Sequence, residues 1–351
     1  MTAAAYSRSR AIAGTHDRAV AWWLVACAAL IFLMIVIGGI TRLTESGLSI
    51  TEWQPIAGIL PPLGDAAWQD AFAKYQAIPQ FHAIHADMML ADFKAIYFWE
   101  YIHRLLGRLI GVAFALPFLY FLLRGWIARG LWPKLAVIFV LGALQGVLGW
   151  YMVESGLEHR IEVSQYRLAA HLLAALLIYA AILWVAFDLF WPAEKREPRG
   201  GAMHGLLDSL LALVFVTVAA GAFVAGLRGG SIYNTFPLMG GAIAPAEYGA
   251  LSPWYFNWFE NPAAAQFDHR VLAELTWLVI VLAWLFARRT STARVRQALD
   301  LLAAMTTIQA GLGIATLLSV VALPLAVAHQ AGAALLLTAA LYARHTIRRK
   351  T

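Results

Sequence analysis

Apolar residues run along this chain in long uninterrupted blocks, broken by short polar stretches that hold most of the charge. Blocks at 19–40, 135–153, 168–187 and 209–227 approach or exceed the about 20 residues an α-helix needs to cross a bilayer core. A block at 109–123 is short alone and is extended N-terminally through 97–108. A block at 271–287 carries one acid, Glu274. The block at 301–343 is too long for one span, and Pro324 divides it, because proline removes a backbone donor and breaks the helical ladder. The pattern predicts eight transmembrane helices.

Composition sharpens this. Of 351 residues, 61% are hydrophobic and 13% charged, which excludes an ordinary soluble globular protein. The first block reads as a span rather than a signal peptide: its apolar stretch is too long, and Gly38-Gly39-Ile40-Thr41-Arg42 does not resemble a cleavage site. No Arg/Ser-rich transit segment precedes it, so a bacterial inner membrane is expected. The single cysteine, Cys27, excludes an intrachain disulfide or a cysteine-ligated metal and reads as a small packing residue. The formal charge of +6 does not point to nucleic acid. Basic residues gather in alternate segments: Arg8, Arg10 and Arg18; Arg124, Arg129 and Lys134; Lys195, Arg196 and Arg199; Arg288, Arg289, Arg294 and Arg296; Arg344, Arg348, Arg349 and Lys350. Positive charge stays on the cytoplasmic side. Both termini are therefore expected in the cytoplasm, with the long loops at about 41–94 and 228–267 facing outward.

The second half echoes the first. Leu144-Gln145-Gly146-Val147-Leu148-Gly149 matches Ile308-Gln309-Ala310-Gly311-Leu312-Gly313, and Gly47-Leu48-Ser49-Ile50 loosely matches Gly229-Gly230-Ser231-Ile232. Four spans per half give both halves the same orientation, so the repeat is parallel. The expected fold is an all-α integral membrane protein of two tandem four-helix bundles. Residues 1–191 form the first and 204–351 the second, joined by a charged, Pro- and Gly-containing linker at 192–203.

Four histidines fall near the start of even-numbered spans: His103, His171, His269 and His329. Ionisable groups in membrane spans are costly and mark function. Topology places all four toward the outer face, one pair per bundle. Bundles build ligand sites from side chains on facing helices, and two histidines suit the axial positions of an iron porphyrin. Zinc, copper or non-haem iron would want further ligands, for which Glu100 is the main candidate. Membrane histidines also serve proton paths or make structural polar contacts, though rarely as two matched pairs at one depth. Glu100 lies three residues before His103 and shares its helix face. It can serve the histidine or a bound porphyrin, or pair with Arg104 at i+4. The second half has Gln266 in the matching place, so the half with the extra acid is the candidate catalytic half. Arg42, Arg104, Arg108, Arg228 and Arg270 lie near the sites and can bind porphyrin carboxylates or snorkel to lipid headgroups. Gln145 and Gln309 are mid-span amides, expected to bond across helices in a packing role. His82 and His85 are too few for a metal site, and His16, His159, His204 and His345 are expected to be solvated.

Taken together, the motifs resemble the haem A synthase family. The residues that carry the resemblance are Gly38-Gly39-Ile40-Thr41-Arg42-Leu43-Thr44 with Ser46-Gly47-Leu48-Ser49; Phe93 to Arg104, ending Glu100-Tyr101-Ile102-His103-Arg104; His171; Tyr233-Asn234-Thr235-Phe236-Pro237; Gln266-Phe267-Asp268-His269-Arg270; and His329-Gln330. The chain lacks the outer-loop cysteine pair of some members and is similar to the cysteine-free proteobacterial and mitochondrial type. The resemblance implies oxidation of a methyl group of haem O to a formyl group by successive hydroxylation, giving haem A. It implies a resident haem b on His269 and His329, and substrate haem O bracketed by His103 and His171 beside Glu100. Haem O synthase would supply the substrate and cytochrome oxidase assembly would receive the product. The rival functions are a dihaem b-type cytochrome oxidising quinol, for which Glu100 is unnecessary, and a haem transporter. Neither oligomeric state nor electron acceptor is legible.

Overall fold

The computed structural model describes residues 3–54, 57–157 and 161–349. Pro55, His159, Lys350 and the side chains of Arg8, Arg10, Lys195 and Arg349 lie outside the described residues. Among the described residues, eight helices are long and apolar enough to cross a membrane. They are α1 (Ala3–Leu43), α2 (Leu90–Leu123), α3 (Trp132–Leu157), α4 (Gln165–Phe190), α5 (Gly201–Gly226), α6 (Pro262–Ala287), α7 (Ala293–Leu318) and α8 (Leu323–His345). The protein is a multi-pass, all-α membrane protein.

Local chemistry sets the helix ends. Asn261 caps α6, its side-chain oxygen accepting from the N–H groups of Ala263 (3.0 Å) and Ala264 (3.3 Å), with Pro262 in the first position, where no N–H is needed. Pro324 divides the last apolar block as expected. It sits in the first turn of α8, after α7 has closed at Leu318. The start of α2 differs from the sequence expectation. This helix begins at Leu90, so His103 lies in its fourth turn, whereas His171, His269 and His329 lie in the second turn of theirs. The extra turns are held by tertiary packing. Phe93 and Ile96 are buried with Tyr75, Ile78 and Phe81 from two short helices of the long loop, Asp65–Gln76 and Pro79–Ile84.

In the first half, α1 packs on α2 and α4, and α3 packs on the same two, closing a four-helix ring. In the second, α5 and α7 each pack on α6 and α8 in the same way. The rings meet through α1 against α8, α4 against α5, and α4 against α8. Half of the apolar window of α1 is buried but only 6% of that of α3, so α1 is central and α3 peripheral. The largest core runs through both rings, with Leu24, Ile182, Leu207, Leu210, Leu299 and Leu337 among its members. Cys27 is buried in it, as a packing residue would be.

α1 and α5 end alike. Each is followed by a residue in the left-handed region, Glu45 (φ 56°) and Arg228 (φ 53°), and then by one turn of 3₁₀ helix, Ser46–Leu48 and Gly229–Ser231. This equivalence is one residue out of register with the sequence match of Gly47 to Gly229. At the opposite end of the molecule, linker residues Glu197–Arg199 pair in parallel with Ile347–Arg349, a two-stranded ribbon that the all-α reading did not include. That fold-back overturns two expectations. His345, expected to be solvated, is 1% exposed between Trp184 and Phe187, and its ring nitrogen donates to Asp188 (3.1 Å). His204 is 3% exposed within α5, which starts before it. His16 stacks on Trp126 at 4.0 Å.

Candidate functional site

Each of the four histidines rests on a glycine of the helix before it. A Cβ added at Gly149 would lie 2.9 Å from His171, at Gly221 2.9 Å from His269, and at Gly313 2.9 Å from His329; at Gly38 it would lie 3.2 Å from His103. Real Cβ atoms do not approach ring atoms at 2.9 Å, so glycine is what lets the rings lie this close to the neighbouring backbone. All four histidines lie in the interior half of the range between buried and exposed, none of them fully exposed.

In the second half the rings of His269 and His329 have centroids 6.4 Å apart and planes 79° apart. Two metal–nitrogen bonds of about 2 Å each, on opposite sides of one ion, leave ring centres roughly 6 Å apart. The His269 Nδ1–H donates to the Thr217 carbonyl (3.1 Å), which leaves the Nε2 lone pair free for a metal. Next to it, Arg270 donates through Nη2 to the Tyr233 carbonyl (2.8 Å). Its Nε and Nη1 are buried with no partner among the described residues. Unpaired buried guanidinium donors are expensive, and a carboxylate satisfies them. The Gln266 amide donates to the same Tyr233 carbonyl (3.2 Å). Two histidines at bis-axial separation beside a guanidinium with spare donors fit an iron porphyrin and its carboxylates.

The first half has the same frame with different charges. His103 and His171 lie within electrostatic range of each other. Glu100, 2% exposed, is fully engaged: Oε2 accepts from Ser49 Oγ (2.8 Å) and the Ile50 N–H (2.7 Å), and Oε1 accepts from Arg104 Nε (3.0 Å) and Nη2 (2.6 Å). Arg104 also donates to the carbonyls of Ile50 (2.7 Å) and Glu52 (3.1 Å) and lies over the Trp53 ring. The i,i+4 pairing open to Glu100 in the sequence is therefore present, and it clamps the chain segment after α1 onto α2. Arg104 and Arg270 occupy matching places, but Arg104 has its charge neutralised and its donors in use.

Two of the other candidate arginines, Arg42 and Arg228, lie at the seam between the halves. Arg228 pairs with Glu45 (2.8 Å) and Glu162 (2.7 Å), and Arg42 lies within electrostatic range of all three. Arg108 donates to the Gln54 carbonyl (2.9 Å). His85 is drawn into the loop cap, its Nδ1 bonded to the Tyr75 hydroxyl (2.6 Å), and burial pushes that hydroxyl's pKa up. His82 forms an edge contact with Phe81.

Sequence reasoning set aside two residues that the structure brings into the site. The Gln145 amide nitrogen lies 3.1 Å from His171 Nδ1 and 2.7 Å from the His171 carbonyl; that of Gln309 lies 3.1 Å from His329 Nδ1 and 2.9 Å from the His329 carbonyl. They do bond across helices, as expected, but to the histidines. The signal was the Gln-x-x-x-Gly spacing shared by the two halves: the amide and the glycine that seats the ring are one helical turn apart.

Residues 21–341 match the family model COX15-CtaA, described as cytochrome oxidase assembly protein. Among curated relatives, the "Heme A synthase" of Nitrosospira multiformis is 51% identical over 338 residues, 95% of each chain. That of Rhodospirillum centenum is 53% identical over 332 residues, 94% of this chain and 89% of its own. That of Parvibaculum lavamentivorans is 49% identical over 332 residues, 95% of each chain.

Proposed function

The chain belongs to the haem A synthase family, and we propose that it oxidises a methyl group of haem O to a formyl group, by two hydroxylations and loss of water, to give haem A. The asymmetry between Glu100–Arg104 and Gln266–Arg270 is the observation that supports a division of labour between the halves. In the second half, His269 and His329 hold a resident haem b and Arg270 takes a propionate; the haem supplies a one-electron redox centre. In the first half, His103 and His171 bracket haem O. Glu100 keeps Arg104 and the Ser49–Ile50 backbone fixed beside it, so the substrate meets a site whose guanidinium is already compensated. A cofactor that stays and a substrate that leaves call for different grips. Arg42 and Arg228 stand at the seam as candidate propionate contacts, Arg228 with the larger share of its donors already used.

Two domains, 1–191 and 204–351 with the linker between, are part of this reading. So is an inner-membrane setting with both termini in the cytoplasm and both haem sites toward the periplasmic face. Haem O arrives from haem O synthase, and haem A passes to cytochrome oxidase assembly. Extraction of pigment from the purified protein, followed by mass spectrometry, tests the function. Haem b together with haem O, a hydroxylated haem O or haem A is expected. Haem b alone in both sites would replace the synthase with a dihaem electron carrier.

A further inference from the structure

At its linker end the second ring carries an apolar groove that the haem chemistry does not use. The groove lies between α5 and α6 and has a volume of about 410 Å³. Leu206 lines it from α5, and Val279, Leu282, Ala283, Phe286 and Ala287 line it from α6. Val279 to Ala287 cover about 12 Å at 1.5 Å per residue, close to the depth of one leaflet's hydrocarbon. Leu282 and Phe286 stand exposed along it, Phe286 by 76%. A furrow of this lining and depth on the wall of a membrane protein fits an acyl chain.

The charge at the mouth of the groove selects the headgroup. Val279, Leu282 and Phe286 stand at i, i+3 and i+7 along α6, and the same stripe reaches Arg289 at i+10, in the closing 3₁₀ turn Arg288–Thr290. Arg289 is exposed and has no acid partner among the described residues. Arg199 of the linker joins it there. Its Nη2 donates to the carbonyl of Thr290 (2.9 Å), and its Nε is buried with no partner among the described residues. The nearby acids are already taken. Glu197 pairs with Arg199 (2.5 Å) and accepts from the Thr292 hydroxyl; Asp300 pairs with Arg288 (3.1 Å) and accepts from the Trp284 indole N–H (2.6 Å). Arg199, Arg288 and Arg289 thus meet two carboxylates, which leaves one positive charge. We propose that this groove is a binding site for one anionic phospholipid. Its acyl chain lies along Leu282 and Phe286, and its phosphodiester sits against Arg289 and Arg199. Guanidinium groups suit phosphate oxygens, and a single negative charge balances the single excess positive one. A zwitterionic lipid carries its own cation to the same place and gains less. Bound there, the lipid ties the linker to the end of α6.

Native mass spectrometry of the full-length protein in a neutral detergent tests this, by titration with phosphatidylglycerol and with phosphatidylcholine of the same acyl chains. Phosphatidylglycerol should bind about tenfold more tightly. Arg289→Gln should weaken phosphatidylglycerol about fivefold and leave phosphatidylcholine unchanged. Leu282→Trp narrows the groove from an exposed position and should weaken both lipids alike. Arg124→Gln, in the exposed loop after α2 at the same end of the molecule, should change neither. Equal affinity of the parent for the two lipids overturns the proposal, as does parental affinity for phosphatidylglycerol in Arg289→Gln or in Leu282→Trp. A matching loss in Arg124→Gln replaces the site with diffuse attraction to a basic surface. Displacement of phosphatidylglycerol by millimolar inorganic phosphate makes it a free-anion site. A dimeric parent that Leu282→Trp turns monomeric puts a second copy of the chain in the groove instead.

Discussion

At the scale of single residues, the two arginines that occupy matching places lead to opposite expectations. Arg270 has buried donors to spare, and a hydrogen bond to a charged group contributes about 1.5–3 kcal/mol. Arg270→Leu should therefore lower haem b occupancy about tenfold or more, read as the haem-to-protein ratio at limiting haem. Retention at parental affinity would remove Arg270 from the site. Glu100→Gln keeps the volume but withdraws the charge from Arg104 in a pair whose side chains are 3% and 13% exposed. Breaking one side of a buried pair typically costs about 3–5 kcal/mol, so the segment after α1 should loosen from α2. Haem A formation should cease in this variant and in His103→Ala, while haem b stays on His269 and His329. Haem b lost from His103→Ala yet kept in His269→Ala would exchange the roles of the halves.

At the scale of helices, two or three positions separate a glycine that matters to the site from one that does not. A Cβ at Gly146 or Gly311 meets nothing within 4 Å, while at Gly149 or Gly313 it meets a histidine ring at 2.9 Å. Gly311→Ala should then stabilise α7 by about 0.5–1 kcal/mol, the usual cost of glycine inside a helix. Gly313→Ala should push His329 off its seat and reduce haem content with little loss of helicity. Equal haem content in the two variants would show that the glycine seats do not set the ring positions. The same spacing marks the limit of sequence reading. All eight spans were legible because crossing a bilayer is a property of a whole window of residues. The four histidines were legible because a charge-bearing ring is out of place there. What Gln145 bonds was not, because an amide can bond any backbone, and its partner depends on the rotation of two helices about their axes. The start of α2 at Leu90 was hidden for a related reason: Asp92 and Lys94 interrupt the apolar run, and the turns they occupy are held by Phe72 and Tyr75 from a distant loop.

At the scale of the molecule, the two rings are joined by apolar packing and a few close polar contacts, and the covalent linker adds little to that. Gln330 on α8 donates to the Ile35 carbonyl on α1 (2.6 Å), and the Tyr179 and Thr338 hydroxyls share a hydrogen bond between α4 and α8 (2.8 Å). At the α4–α5 contact, a Cβ at Gly226 would lie 2.7 Å from the Gln165 Cα, so the backbones themselves meet. The Glu45–Arg228 bridge is partly exposed, 26% and 43%, and such pairs contribute about 1 kcal/mol or less. Cutting the chain at an inserted protease site after Ala193, where Pro192 to Glu194 are exposed, should thus leave both halves associated in mild detergent with their pigment unchanged. Gly226→Ala, by contrast, forces two backbones apart and should cost about 1–3 kcal/mol although the chain stays whole. Co-purification of the cut halves and the unfolding temperature of the Gly226 variant measure the two effects. Halves that separate after the cut, with a Gly226→Ala protein as stable as the parent, would put the linker and its pairing with Ile347–Arg349 in charge of holding the molecule together.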